Sequence, residues 1–118
     1  MREFIKDSIE DSIRLKQKIY QSQEFLDEIL RVGEETIDTL KNGGKVLLCG
    51  NGGSASDAQH LTAEFVSRFR IDRKPLPAVA LNCNASILTS IGNDYAYELI
   101  FERQVQALGR PGDILWCF

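Results

Sequence analysis

The chain has 118 residues, 43% of them apolar and 26% charged, which is the make-up of one soluble globular domain and excludes a second full domain. A chain of this length buries roughly two-thirds of its unfolded surface, so it needs no disulfide or metal merely to fold, and any metal would serve chemistry. Its 14 basic and 17 acidic residues leave a net charge of −3, a poor match to polyanionic DNA or RNA, so nucleic acid is not an expected partner.

Residues 3 to 41 predict two helices. Ile5, Ile9 and Ile13 recur every four positions, and Phe25, Leu26, Ile29, Leu30, Ile37 and Leu40 continue an apolar stripe among charged residues. Asn42-Gly43-Gly44 supplies the residues that stop a helix and turn the chain. Val46-Leu47-Leu48-Cys49 is a short continuous apolar run between glycines, the pattern of a parallel strand covered on both faces. Through Gly50-Asn51-Gly52-Gly53-Ser54 it feeds a helix from Ala55 to Phe69, with Ala58, Leu61, Phe65 and Phe69 as its core stripe.

Pro75 and Pro77 break that pattern before a second strand, Ala78–Leu81, and a brief helix from Ala85 to Ile91 that Gly92-Asn93-Asp94 interrupts. Tyr95 to Leu108 predicts one helix, Gly109-Arg110-Pro111-Gly112 a turn, and Ile114 to Phe118 a third strand. Strands alternating with helices imply right-handed crossovers and a parallel α/β sheet whose ligands sit at the carboxyl ends of the strands. A chain stopping inside an apolar strand leaves a sheet edge uncovered, so a fragment is expected.

Cys49, Cys83 and Cys117 are too few and too scattered for a secreted disulfide framework, and the expectation is buried, reduced thiols in a cytoplasmic protein. Their equal spacing is not a repeat, because the flanks LLCGN, LNCNA and LWCF share almost nothing else. The N-terminus MREFIKDSIEDS interleaves acids and so lacks a signal-peptide core, and no stretch reaches the ~18 apolar residues of a membrane span, so no membrane partner is expected.

The strongest chemical signal is the loop from Gly50 to Ser54, since glycines between a buried strand and a helix let backbone amides approach an anion such as a phosphate. Ser54 and Asp57 capping a tight turn is the purely structural alternative. The loop satisfies a loose dinucleotide fingerprint, yet the second strand ends Leu81-Asn82-Cys83, without the acid that motif requires, and no Walker loop is present.

His60 and Glu64, four apart, share one helix stripe and can address one ligand, as two donors to a zinc-type ion or as a carboxylate removing a proton beside a carbonyl. The plainer reading pairs Glu64 with Arg68 and leaves His60 on the surface. Asn93 and Asp94 could bind ligand hydroxyls or cap the next helix. Arg68, Arg70, Arg73 and Lys74 form a patch that suits a phosphate or a helix C-terminus.

The string VLLCGNGGSASDAQHLTAEFVSRF, followed by LPAVALN, IGNDY and ALGRPGDIL, resembles the phosphoheptose isomerases of the sugar isomerase (SIS) domain superfamily over nearly the whole chain. The resemblance implies a Rossmann-like parallel sheet flanked by helices, with residues 1–43 as a helical oligomerisation segment and 44–118 as the start of the α/β core. It implies a homotetramer with sites between subunits. By motif, Asn51, Gly52, Gly53, Ser54, Glu64, Asn93 and Asp94 would bind a sugar phosphate, His60 and Glu64 would ligate zinc, and Glu64 would be the catalytic acid-base. The implied reaction takes sedoheptulose 7-phosphate to D-glycero-D-manno-heptose 7-phosphate, feeding cell-envelope polysaccharide synthesis.

The family's phosphate loop, remaining zinc ligands and catalytic His would lie beyond the third strand, so these 118 residues alone are expected to be inactive. The alternatives are a non-catalytic SIS relative of the replication-initiator-binding type, which carries no carboxylate at the position of Glu64, and an SIS isomerase for another sugar phosphate.

Overall fold

The computed structural model describes residues 1–118. They form two compact units, Met1–Glu35 and Thr36–Phe118. The first contains helix α1 (Arg2–Gln21) and the start of α2 (Gln23–Lys41), with Ser22 between them accepting the Phe25 amide on its hydroxyl. No residue of α1 is buried, and the expected stripe stands half-exposed as Ile5, Ile9 and Ile13 beside Phe4.

In the second unit, strand β1 (Val46–Cys49) lies between β2 (Ala78–Ala80) and β3 (Ile114–Cys117) in a fully parallel sheet of order β2-β1-β3. The continuous apolar run of β1 is buried throughout, as a central parallel strand requires. Its side chains alternate between faces. Val46 and Leu48 meet Ala58, Leu61 and Phe65 of helix α3 (Gly53–Val66), together with Leu40 of α2. Leu47 and Cys49 meet Leu81, Phe101 and Val105, the last on helix α5 (Glu102–Leu108). Each fully buried Val or Leu contributes roughly 1.5–3 kcal/mol, so this one strand anchors both layers.

Several expected boundaries move. Helix α3 starts at Gly53 and stops at Val66, which leaves Phe69 outside the core stripe and 71% exposed. Helix α4 (Ala85–Asp94) runs through Gly92-Asn93-Asp94 without interruption: the Asn84 side chain caps its start by accepting the Ile87 amide, and the Tyr95 amide closes its last turn on the Ile91 carbonyl. The break comes later, at Tyr95 and the extended Ala96, so 95–108 is not one helix. A 3-10 turn, Tyr97–Leu99, precedes α5, whose buried Gln104 donates to the carbonyls of Leu81 and Ile100. Asp94 therefore ends a helix and caps none.

Of the cysteines only Cys49 is buried. Cys83 follows β2 in an exposed turn, and Cys117 is exposed on the edge strand β3. At the opposite end of the sheet Asp113 accepts from the backbone amide and ammonium of Lys45 and from the Arg110 amide, clasping β1 to β3. The Lys45 hydrogen bond holds the Asp113 carboxyl below its usual range.

Candidate active site

The glycine loop leaves the buried end of β1. Gly50 is required sterically: a Cβ there would lie 2.7 Å from Ser54 Cβ and 2.8 Å from the Ser54 carbonyl carbon and oxygen. Gly52 is required conformationally, at φ 58 and ψ −122, outside the region open to L side chains. This geometry lets the amides of Ser54 and Ala55 donate to the carbonyls of Asn51 and Gly52. Gly52 is the N-cap and no side chain caps the helix, so the Ser54–Asp57 capping pair does not form.

Two side chains from elsewhere hold the loop. Asn82, just past β2, donates its amide to the Gly50 carbonyl, where a dinucleotide fold would need an acid. Tyr97 donates its hydroxyl to Asn51 Oδ1 at 2.8 Å, and the break at Ala96 is what brings it there. The expected site residues Asn93 and Asp94 bond each other at 2.8 Å. It is Tyr97, three positions beyond Asp94, that touches the loop. Nothing in the local spacing marked Asn82 or Tyr97; the sheet register and the chain break place them.

His60 and Glu64 project from the second half of α3 and line one pocket of about 290 Å³ with Leu61, Phe65, Phe69, Arg73 and Leu76. His60 Nε2 lies 3.5 Å from Glu64 Oε1, so Glu64 pairs with His60 and not with Arg68. The imidazole is 74% exposed and the carboxylate 27%. Glu64 Oε2 is buried and has no hydrogen-bond partner. No glycine-loop residue lines this pocket, since His60 stands seven positions beyond Gly53 on α3, about 10 Å along the axis. The chain thus holds a glycine-loop end and an imidazole–carboxylate pocket on the same helix.

Of the basic patch, Arg73 turns back onto α3 and donates to the carbonyls of Glu64 and Phe65, at 2.6 and 2.8 Å, as a helix C-terminus favours. Arg70 lies over the Phe69 ring. At the loop's entrance Cys49 Sγ is 3.5 Å from Cys117 Sγ, its register partner on β3. Burial, then this contact, pushes the Cys49 thiol up to about 11.

A glycine loop opening a helix at the end of a parallel strand, with a His/Glu pair starting about two turns on, is the arrangement the sequence resemblance implies. A family model described as "SIS domain" matches residues 9–118. The chain belongs to the SIS domain family. The phosphoheptose isomerase of Clostridium acetobutylicum is 56% identical over 115 residues, covering 98% of this chain and 59% of that protein. The phosphoheptose isomerase of Roseiflexus sp. is 56% identical over 109 residues, covering 92% of this chain and 54% of that protein.

Among solved structures, a phosphoheptose isomerase from Neisseria gonorrhoeae superposes with a TM-score of 0.88 at 41% identity, and one from Francisella tularensis with 0.90 at 38%. Each comparison covers 98% of this chain and 59% of the solved one. The expected helix-flanked parallel sheet of an SIS domain is therefore present, and the chain spans a little over half the length of the relatives it matches.

Proposed function

We propose that the protein carrying this SIS chain is a phosphoheptose isomerase that converts sedoheptulose 7-phosphate to D-glycero-D-manno-heptose 7-phosphate through an enediol, in the cytoplasm, for cell-envelope polysaccharide. The carrying observation is Glu64: a carboxylate in a pocket wall with one oxygen toward His60 and the other buried and unpartnered. The identity to proteins named phosphoheptose isomerase supports the same reading.

Ketose–aldose interconversion moves a proton between adjacent carbons, so it needs a placed base and stabilisation of the developing oxyanion. Glu64 takes the proton on its carboxylate and returns it to the neighbouring carbon. Leu61, Phe65, Phe69 and Leu76 give the pocket its apolar walls. At the other end of α3, Asn51, Gly52, Gly53 and Ser54 bind the sugar phosphate with the positive helix end, assisted by Asn93 and Asp94. The exposed apolar ladder of α1 is the face that would pack against other copies in the homotetramer, with sites between subunits, that the resemblance implies.

Zinc fits the pair as far as the chain reaches. Two donors about 2.0–2.1 Å from a tetrahedral ion stand about 3.4 Å apart, and His60 Nε2 and Glu64 Oε1 are separated by 3.5 Å. No third His, Cys, Asp or Glu joins them, so His60 and Glu64 are the ligands this chain would contribute. When bound, the ion would polarise the substrate's oxygens.

The test is turnover of sedoheptulose 7-phosphate by the protein carrying this chain, with and without chelator, beside Glu64→Gln. Loss of general-base catalysis predicts a fall of at least about 100-fold in kcat for Glu64→Gln. Turnover that survives the substitution would overturn the assigned role. Absence of turnover, with capture of a replication initiator instead, would establish the non-catalytic reading.

A further inference from the structure

We propose that Arg73 is a positioning residue for Glu64: it fixes the last turn of α3, and through that turn the direction of the Glu64 carboxylate. The inference rests on the reading of Glu64 as the base. Helix α3 ends at Val66, so the carbonyls of its last turn have no intrahelical partner. The Ala63 carbonyl is taken by the Ser67 amide. Those of Glu64 and Phe65 are taken by the two terminal nitrogens of one guanidinium, nine and eight residues away in sequence.

The same guanidinium nitrogen that serves Phe65 also donates to the Lys74 carbonyl, and the Leu76 amide donates to Phe65. The returning segment is thereby tied to the helix end it covers. Arg73 and Leu76 both line the His60–Glu64 pocket, so the tie is part of the pocket wall.

Two features make this more than a helix cap. Glu64 is itself one of the two residues whose carbonyl Arg73 grips, so any fraying of the turn moves the backbone that carries the base. His60 sits one turn earlier and keeps its own helical bonds, so fraying would open the 3.5 Å His60–Glu64 separation and leave the imidazole in place. No side-chain hydrogen bond holds the Glu64 carboxylate otherwise, since Oε2 has none and Oε1 faces only His60. Backbone direction, with the packing that buries Oε2, is therefore what aims it. A lysine has one charged nitrogen without the planar fork, and can reach one carbonyl well but not both.

The experiment compares wild type, Arg73→Lys and Arg73→Met in the protein carrying this chain, with steady-state kinetics on sedoheptulose 7-phosphate and amide hydrogen exchange across α3. Misplacing a catalytic group by about 1 Å costs about 100-fold, so Arg73→Met should lower kcat by about 10- to 100-fold with KM changed less than about twofold. Arg73→Lys should recover part of that loss. Exchange should accelerate at Ser67 in Arg73→Met and stay unchanged in the first turns of α3.

Three results would overturn the proposal: unchanged kcat despite faster exchange at Ser67, a rise in KM alone, or equal damage throughout the protein in both variants. Wild type that fails to turn over the sugar overturns the reading of Glu64 and the positioning role with it, a result recognisably different from normal wild-type turnover with insensitive variants.

Discussion

Three glycines in one loop should respond to alanine for three separate reasons. At Gly50 the added Cβ meets Ser54 Cβ at 2.7 Å and the Ser54 carbonyl carbon and oxygen at 2.8 Å. These atoms cannot rotate away, because the Ser54 amide is bonded to the Asn51 carbonyl and the residue opens α3. Ordinary contact needs a further 0.6–0.7 Å or more, found only by prising the helix start from β1. Overpacking of this kind costs about 1–3 kcal/mol, which for a domain of this size lowers Tm by roughly 4–12 °C.

At Gly52 the space around the new Cβ is open, but φ 58 and ψ −122 would strain any other residue by about 1–3 kcal/mol. At Gly53 the space is open and φ is ordinary, so Gly53→Ala should be neutral or raise stability by about 0.4–1 kcal/mol. Thermal unfolding of the three variants, read by circular dichroism, separates the mechanisms. Equal losses in Gly50→Ala and Gly53→Ala, or an unaltered Tm in Gly50→Ala, would refute the loop geometry.

Two further outcomes follow from the titrating groups. The Cys49 thiol is raised to about 11, so its folded form holds its proton more tightly than the unfolded chain. The stability it lends is complete below the ordinary thiol pKa of about 8.5 and fades as pH climbs toward 11. Cys49→Ala should flatten that alkaline decline in a denaturant-midpoint series, and in wild type iodoacetamide at pH 8 should label the exposed Cys83 well before Cys49, as read by peptide mass. Asp113 is shifted downward by Lys45, so its contribution is present above the usual carboxylate pKa and is lost as acid protonates the folded form. Asp113→Asn should lower stability at neutral pH and shrink the difference from wild type below about pH 4; a constant difference down to pH 2 would contradict the clasp.

The sequence by itself determined what depends on near neighbours. A four-residue apolar run between glycines has the pattern of a buried strand, and β1 is one. Four-residue spacing on a helix put His60 and Glu64 side by side, and the structure joins them at 3.5 Å, because i and i+4 meet on any α-helix whatever surrounds it. The loop glycines were legible for the same reason, as backbone freedom is a property of the residue itself.

Tertiary structure decided everything that depends on which distant segments meet. Periodicity continued to Phe69, but Arg73 closes the helix end at Val66 by occupying its carbonyls from outside. Gly92-Asn93-Asp94 looked like a break, yet α4 continues through it and the chain breaks only at Ala96, from where Tyr97 reaches Asn51. The order β2-β1-β3 sets Cys49 against Cys117 and Asn82 against Gly50, pairings 68 and 32 residues apart. Such contacts are chosen by crossovers and sheet register, which fit many apolar strands equally well, so local pattern carries no trace of them.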